Sequence, residues 1–514
     1  MHGLESSLIA KRFAQLAQDR GQQAALTFRQ LEQPTSADQM YDFAKFWRRI
    51  ERVTGHLQAR LGVKPGQRVA WLGLNHEMQL VTLVACARLG ALFLPLNFRL
   101  APAEWQAVLA DAGASVLIHD STHQGAAQNL NVSGLNVIHQ DELIATSSPR
   151  GLALPHVDED APVLLVYTSG TTGTPKGAVH TQLAVIHNAR ASAWAHGFKQ
   201  GDKVLSTLPL FHVGGLCIQT LPALLAGIEV VLHPRFEPKA WLAELALSRP
   251  SLSLLVPATM RAVFEHPDWA HTDLSALRGI MTGSSTIPLD YLEAFHRRGV
   301  PVGQVYGSTE TGPVSVVLGF DHAIERAGAA GWPHPEAQLR LLDAQGQDVP
   351  TGQTGEVCLR ASNLMRGYWK AHGQVGLGLD DGWFRTGDLG RLDEDGCLTI
   401  VGRSKDMIIS GGENIYPAEI ENRMMGMAGI AECTVVGLPD VRWGEVPVAV
   451  VVRSPGQEGQ SLDAERITQH LAAHIARFKL PRRVVFVEQL PKSALGKIQK
   501  PQVVSYLQNG HAPA

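Results

Sequence analysis

From about residue 38 to residue 310 the chain alternates short apolar runs with stretches whose apolar residues recur every three or four positions. Residues 38–61 show the helical half of this pattern: Phe43, Phe46, Trp47, Ile50, Val53, Leu57 and Leu61 fall on one face. Gly62 and Pro65-Gly66 stop that helix, and Val69-Ala70-Trp71-Leu72 follows as a strand. The runs Val116–Ile118, Val163–Val166, Val204–Leu208, Val230–Leu232, Leu252–Val256 and Val302–Val305 repeat the strand half. A strand that is apolar on both faces is buried on both. Strands that alternate with helices pair in parallel, because each helix carries the chain back to the start of the sheet. The expected fold class is therefore α/β, with parallel-rich sheets and flanking helices. At 514 residues the chain exceeds what one core can hold.

After residue 330 the texture changes. Gly355-Glu356-Val357-Cys358-Leu359-Arg360, and a hairpin over Gly390–Ile400 turning at Asp395-Gly396, predict a mainly β segment. A smaller α+β unit of roughly a hundred residues follows Arg403. Its strands are expected near 431–436, 446–452 and 483–488 and its helices near 417–426 and 463–478. A cut at Lys405 gives an N-terminal domain, 1–404, and a C-terminal domain, 405–514.

Composition narrows the partners. A net charge of −3 with no basic run leaves no footprint for nucleic acid and no polybasic membrane tether. The apolar stretches 81–97 and 213–232 are interrupted by Arg88 and by Gln219, Pro222 and Glu229, so they read as core segments rather than integral membrane spans. The five cysteines are scattered, with no Cys-x-x-Cys pair, which suits free thiols in a reducing compartment. The first residues show no basic segment leading into an apolar core, so no signal peptide is expected. These features predict a cytoplasmic monomer or homodimer whose partners are small molecules.

Chemistry concentrates first in Tyr167-Thr168-Ser169-Gly170-Thr171-Thr172-Gly173-Thr174-Pro175-Lys176-Gly177, which follows the run Val163–Val166. Glycines let backbone N–H groups approach an anion, hydroxyls add donors, and a lysine adds a point charge, which together make a polyphosphate grip. Its place beyond a buried strand is where α/β proteins bind ligands. It is not a Walker loop, because Pro175 stands where that pattern needs its second glycine. By composition alone a flexible surface turn remains open. The order of residues, however, closely resembles the phosphate loop of the adenylate-forming family. That family includes acyl-CoA synthetases, aryl-CoA ligases, firefly luciferase and peptide-synthetase adenylation domains.

Four further segments resemble the family in the family's own order. The resemblance implies that Thr168, Ser169, Gly170, Thr171, Thr172, Gly173 and Lys176 bind ATP. In Tyr306-Gly307-Ser308-Thr309-Glu310-Thr311-Gly312, it makes Glu310 the Mg²⁺ ligand and sets Thr309 on the α-phosphate. It also lays Tyr306 and Gly307 along the adenine, with Ser308, Ser284 and Ser285 close by. In Gly382-Trp383-Phe384-Arg385-Thr386-Gly387-Asp388, Asp388 would take the ribose hydroxyls. The segment from Gly402 to Asn414 supplies Arg403 as a ribose contact and Lys405 as a hinge. Ser410, Gly411 and Gly412 of that segment would wall a passage for coenzyme A. Here the chain departs from plant coumarate ligases and luciferases, which carry a lysine where it has Ile409. Finally, Gly496-Lys497 resembles the family's C-terminal Gly-Lys and makes Lys497 catalytic: a fixed cation stabilises charge developing at phosphorus.

For the acid, Pro209-Leu210-Phe211-His212-Val213-Gly214-Gly215-Leu216 is the informative stretch. Read alone, His212 is better taken as a core histidine capping a strand end. The resemblance places it beside an acyl pocket lined by Gly214, Gly215, Leu216, Gly283, Pro313 and Val314. Such a lining suits a hydrophobic carboxylate. The function implied is an AMP-forming acid–CoA ligase, with a medium- or long-chain fatty acid expected and an aromatic acid (a benzoate or hydroxycinnamate) as the alternative. Loading of a carrier protein, a luciferase-like oxygenase and a non-catalytic nucleotide-binding regulator are the competing readings.

Overall fold

The computed structural model describes residues 6–31, 38–145, 153–168, 175–283, 287–369, 375–376, 381–410, 413–493 and 496–509. Among these, one sheet of eight strands is built around Arg68–Leu72, with Leu92–Pro95 and Val116–His119 parallel on its two sides. Asn136–His139 extends it in parallel beyond Val116–His119, and Pro162–Thr168 extends it beyond Leu92–Pro95. Past Pro162–Thr168 the pairing turns antiparallel through Lys176–Thr181, Gly367–Trp369 and Val375–Gly376.

A second sheet of nine described strands runs parallel from Ala24–Phe28 through Glu229–Leu232, Lys203–Ser206, Leu252–Leu254 and Gly279–Gly283 to Val302–Tyr306. Antiparallel strands close both of its edges. The two sheets share one large core, in which Leu26, Phe28 and Val230 of one meet Val69, Trp71 and Phe93 of the other across intervening helices. Glu77–Leu89 is the innermost of these helices and is buried at every position. A helix enclosed on all sides needs no polar stripe, which is why residues 81–89 are apolar apart from Thr82 and Arg88.

The α/β expectation holds, with local shifts. The helix read from residue 38 starts at Phe43, because Gln39–Asp42 is drawn into the sheet edge and Asp42 caps the helix by accepting from Lys45 N (2.6 Å). The helix expected over 463–478 ends at Ala472. The segment 213–232 divides into a π-helical turn, Gly214–Thr220, a short helix, Leu221–Ala226, and the strand Glu229–Leu232.

The β segment is an antiparallel sheet of Ala337–Leu342, Thr354–Ala361, Phe384–Leu392 and Leu398–Arg403. The hairpin at Asp395-Gly396 joins its last two strands. A single 3₁₀ turn, Ser404–Asp406, leads from there to Ile408–Ser410, the first strand of the C-terminal sheet. That sheet packs Ile420, Met424, Ile467 and Leu471 against Val435, Ala449 and Val451, a core of its own. Contact with the large part includes Arg261 Nη1, which donates to Ala431 O (2.9 Å). Among the described residues no helix is long and apolar enough to cross a membrane.

Glu244 ties the nine-stranded sheet to its helices. It is buried and accepts from Arg29 Nη2 (2.8 Å) and His233 Nε2 (3.1 Å). Burial alone would raise its pKa, but the hydrogen bonds from His233, Arg29 and Ser248 outweigh burial and hold it at about 2. Because the folded pKa is depressed, the stabilisation is complete above the ordinary glutamate value of about 4.3 and is lost as pH falls toward 2. Glu244→Ala should cost about 3 kcal/mol in urea unfolding at pH 7, because it takes the carboxylate from buried His233 and one of two from Arg29. The deficit against wild type should shrink on acidification, and a pH-independent deficit would contradict this account.

Candidate active site

The phosphate loop connects two antiparallel strands. Pro162–Thr168 and Lys176–Thr181 are in register at Thr168 and Lys176, and the Thr168 hydroxyl donates to Lys176 O (3.4 Å). A Walker loop instead feeds a helix N-terminus, so the displaced glycine and proline in this sequence go with a different backbone path. Ser169, Gly170, Thr171, Thr172 and Gly173 lie outside the described residues, as do Ser284, Ser285, Gly411 and Gly412. Lys176 is exposed, with Nζ 5.6 Å from the ring centroid of Tyr368.

The turn after Val302–Tyr306 is folded tightly on itself. A Cβ on Gly307 would meet Pro313 O at 2.5 Å, and one on Gly312, whose φ is +61°, would meet Asn363 O at 2.2 Å. Both positions therefore require glycine. The Thr311 hydroxyl accepts from Ser308 N (2.8 Å), and Glu310 O accepts from Met365 N (2.8 Å). Thr309 is buried, while Glu310 is half-buried and takes a hydrogen bond from the Tyr368 hydroxyl on Oε1 (2.9 Å). Beneath them lies His180, whose pKa burial pushes down to about 4 against the opposing influence of Glu310 and the Thr309 backbone.

Asp388 and Arg403 face each other on neighbouring strands of the four-stranded sheet, with Arg403 Nε 3.0 Å from Asp388 Oδ1. The Tyr306 hydroxyl donates to Asp388 Oδ2 (2.9 Å). Each carboxylate oxygen keeps a further lone pair for a hydroxyl donor. Burial raises the Asp388 pKa, with Arg403, Tyr306 and Lys497 opposing.

Lys497 comes from the C-terminal unit. It sits on a turn in which Ser493 N donates to Lys497 O (2.8 Å) and Gly496 holds φ at +78°. Lys497 is exposed, and its ammonium is within electrostatic reach of Arg403, Asp388 and Glu310 and acts on His212. Loss of water at that end lowers its pKa, and repulsion from Arg403 adds to this. Asp388 and Glu310 pull the other way without cancelling the shift.

His212 is positioned by the preceding segment, where Asn75 donates to Leu208 O (3.0 Å) and accepts from Leu210 N (2.8 Å). Its Nδ1 accepts from Gly214 N (3.0 Å), and burial, followed by Lys497, pushes its pKa down to about 4. At neutral pH the ring is therefore uncharged, with its proton on Nε2.

The residues expected to line the acid pocket divide between surroundings. Gly214, Gly215 and Leu216 open the π-helical turn. A Cβ on Gly215 would lie 2.3 Å from Pro209 O, and Leu216 packs into the large core between the sheets. Gly283 ends its strand against Val305 O, where a Cβ would lie at 2.6 Å. Val314, next to Pro313, belongs to an apolar cluster with Ala191, Ala195, Ile218, Met281 and Val305. Farther along, Lys405 is exposed in the 3₁₀ turn and Ser410 pairs with Glu413 and Gly444. Ile409 is 52% exposed.

Sequence reasoning missed Tyr368 and His180. Both reach the Thr309–Glu310 turn from strands far away in the chain, and the one available signal was the aromatic pair Tyr368-Trp369.

Glu310 has Oε1 taken by Tyr368, and Oε2 has no hydrogen-bond partner among the described residues. Those residues contain no convergent group of three His, Cys, Asp or Glu side chains. One spare carboxylate oxygen suits a Mg²⁺ ion that brings phosphate oxygens and water as its other ligands.

A cation on a separately cored unit reaches across to carboxylates of the larger one, beside a Gly- and Thr-rich strand connection. This is the architecture of an adenylate-forming enzyme. The profile of the family described as AMP-binding enzyme matches residues 13–369, and that of the AMP-binding enzyme C-terminal domain matches residues 419–497. The indoleacetate–CoA ligase of Aromatoleum aromaticum is 46% identical, covering 88% of this chain and 91% of that protein. The feruloyl-CoA synthase of an Amycolatopsis species is 41% identical, covering 90% and 93%. The o-succinylbenzoate coenzyme A synthetase of Bacillus subtilis, solved with ATP and magnesium, superposes with a TM-score of 0.84 at 30% identity, covering 96% and 98%. The chain belongs to the AMP-binding enzyme family, among its adenylate-forming acid–CoA ligases.

The lowered Lys497 pKa sets an expectation for pH dependence. As pH rises the ammonium is lost, so acid-dependent pyrophosphate release should fall with an inflection below the ordinary lysine value of about 10.4. In Lys497→Arg, whatever activity remains should lack that inflection, because a guanidinium stays charged. A wild-type profile that is flat up to the ordinary lysine value would contradict the assignment.

Proposed function

We propose that the protein is an AMP-forming CoA ligase acting on an aromatic carboxylic acid, using ATP and Mg²⁺. The observation that carries this reading is that the Lys497 ammonium lies within electrostatic reach of Asp388, Glu310, Arg403 and His212. The acid's carboxylate attacks the α-phosphorus of ATP in line. An O–P bond forms, the bond to the β-phosphate oxygen breaks, and pyrophosphate leaves. Lys497 bridges the carboxylate and α-phosphate oxygens and neutralises charge that builds at the phosphate, and Thr309 donates to the same phosphate.

Lys176 and the hydroxyls and amides of Thr168 to Gly173 hold the departing phosphates. Glu310 would hold Mg²⁺, which when bound neutralises polyphosphate charge. Asp388 and Arg403 hold the ribose, Tyr306 and Gly307 lie along the base, and Ser284, Ser285 and Ser308 complete the nucleotide site. His212, neutral, offers Nε2–H beside the acyl group.

The C-terminal domain then turns about Lys405, withdrawing Lys497 and bringing Ser410, Gly411 and Gly412 to the site. The CoA thiol attacks the acyl carbonyl. The C–S bond forms, the C–O bond to AMP breaks, and the thiol proton is released to solvent. The domain boundary at Lys405 and a cytoplasmic setting are part of the same reading.

For the acid, the expected preference for a fatty acid gives way to an aromatic one. The relatives at 46% and 41% identity are named for indoleacetate and ferulate. The cluster around Val314 has an apolar face with small side chains at Ala191 and Ala195, which suits an uncharged ring.

The test is pyrophosphate release across arylacetates, hydroxycinnamates, benzoates and medium- and long-chain fatty acids, with and without CoA. An aromatic acid should exceed every fatty acid by at least about tenfold in kcat/KM, and a thioester should form only with CoA. Preference for a fatty acid would overturn the substrate class. Hydroxylamine trapping of the adenylate, with CoA never accelerating AMP release, would point to a carrier protein instead.

A further inference from the structure

Tyr368 stands between two groups that the reading above places on the polyphosphate, and that reading assigns it no part. Gly367–Trp369 pairs antiparallel with Lys176–Thr181, with Tyr368 opposite Ala178. Lys176 and Ala178 share a sheet face, so Tyr368 is the diagonal neighbour of Lys176. The Tyr368 hydroxyl donates to Glu310 Oε1 (2.9 Å), and its ring centroid is 5.6 Å from Lys176 Nζ. The mount is firm. Met365 N donates to Glu310 O (2.8 Å), Arg366 N to Val179 O (2.8 Å), and Trp369 Nε1 to Asp111 O (3.2 Å). The same short segment thus grips Glu310 by its backbone and by its side chain.

We propose that Tyr368 is a positioning residue for the adenylation half-reaction: its hydroxyl fixes Glu310 Oε1 and leaves Oε2 for the metal, while its ring keeps Lys176 beside the same phosphates. The inference rests on Glu310 as the metal ligand. It predicts a role confined to the step in which the polyphosphate is present. Once pyrophosphate has left, CoA attacks a species with no β- or γ-phosphate to hold.

The test compares wild type, Tyr368→Phe, Glu310→Gln and the double variant. Mn²⁺ affinity is read by electron paramagnetic resonance with α,β-methylene-ATP, alongside the Mg²⁺ requirement for pyrophosphate release and the rate of CoA capture from supplied acyl-adenylate. Tyr368→Phe should weaken Mn²⁺ binding about tenfold and raise the Mg²⁺ requirement in parallel. It should leave CoA capture within about twofold, which also reports an intact fold. In the Glu310→Gln background it should add nothing, because it acts through that carboxylate. Tyr368→Leu, which also removes the ring, should weaken metal-free nucleotide binding a further threefold or so.

The proposal is overturned if Glu310→Gln weakens Mn²⁺ binding and Tyr368→Phe does not. It is also overturned if the two losses add in full, or if both half-reactions fall equally. If Glu310→Gln leaves Mn²⁺ binding unchanged, the metal-ligand reading itself fails and takes the proposal with it.

Discussion

One carboxylate, Asp388, joins the three parts of the molecule that meet at the cleft. Tyr306, at the end of a strand in the nine-stranded sheet, donates to one of its oxygens, and Arg403, from its own four-stranded sheet, faces the other. Lys497 adds a cation from the C-terminal unit. Burial works against the charge on Asp388, and these three groups offset that penalty only in part, so its pKa stays raised. The site therefore holds an electrostatic demand that a bound ribose, a cation or both can meet. Departure of the small unit would carry Lys497 away and remove one of the three compensating groups. In the proposed reading, closure and nucleotide binding are coupled through this one side chain.

The cleft also separates the charges by task. Lys176 is exposed at the rim beside Tyr368, where it suits a leaving polyphosphate that must escape. Lys497 is exposed as well, and His212 is half-buried. His212 is neutral because burial opposes its charging and Lys497 adds to that opposition. In the proposed reading, a neutral imidazole beside the acyl group would not compete with Lys497 for the incoming carboxylate. The single 3₁₀ turn at Ser404–Asp406 fits this arrangement. It is short and exposed, and it is flanked by strands of two different sheets, so a change of backbone angles there would move one sheet without disturbing the other's hydrogen bonds.

Much of this was legible in the sequence because it is local. The alternation of apolar runs and helical spacing gave the parallel sheets, Asp395-Gly396 gave its hairpin, and the C-terminal strands fell within a few residues of their positions. What was not legible depends on distant pairing or on complete burial. Gln39–Asp42 is a strand only because Ala24–Phe28 recruits it. Glu77–Leu89 carries no amphipathic stripe because protein surrounds it on every side. Tyr368 meets Glu310 from 58 residues away, through a strand pairing that no local pattern announces. Gly215 and Gly307 were read as site glycines for their chemistry. The structure gives them a steric reason as well, since each faces a backbone oxygen at a distance no Cβ could occupy.

In the proposed mechanism Lys497 serves one half-reaction and not the other. The most direct measurement is single-turnover kinetics of Lys497→Ala on each half separately: acid plus ATP followed by pyrophosphate release, and supplied acyl-adenylate plus CoA followed by thioester formation. The first should slow by at least about a hundredfold, as expected when a preorganised charge is removed, while the second stays within about twofold of wild type. An equal loss in both halves would contradict the account and return Lys497 to a structural role.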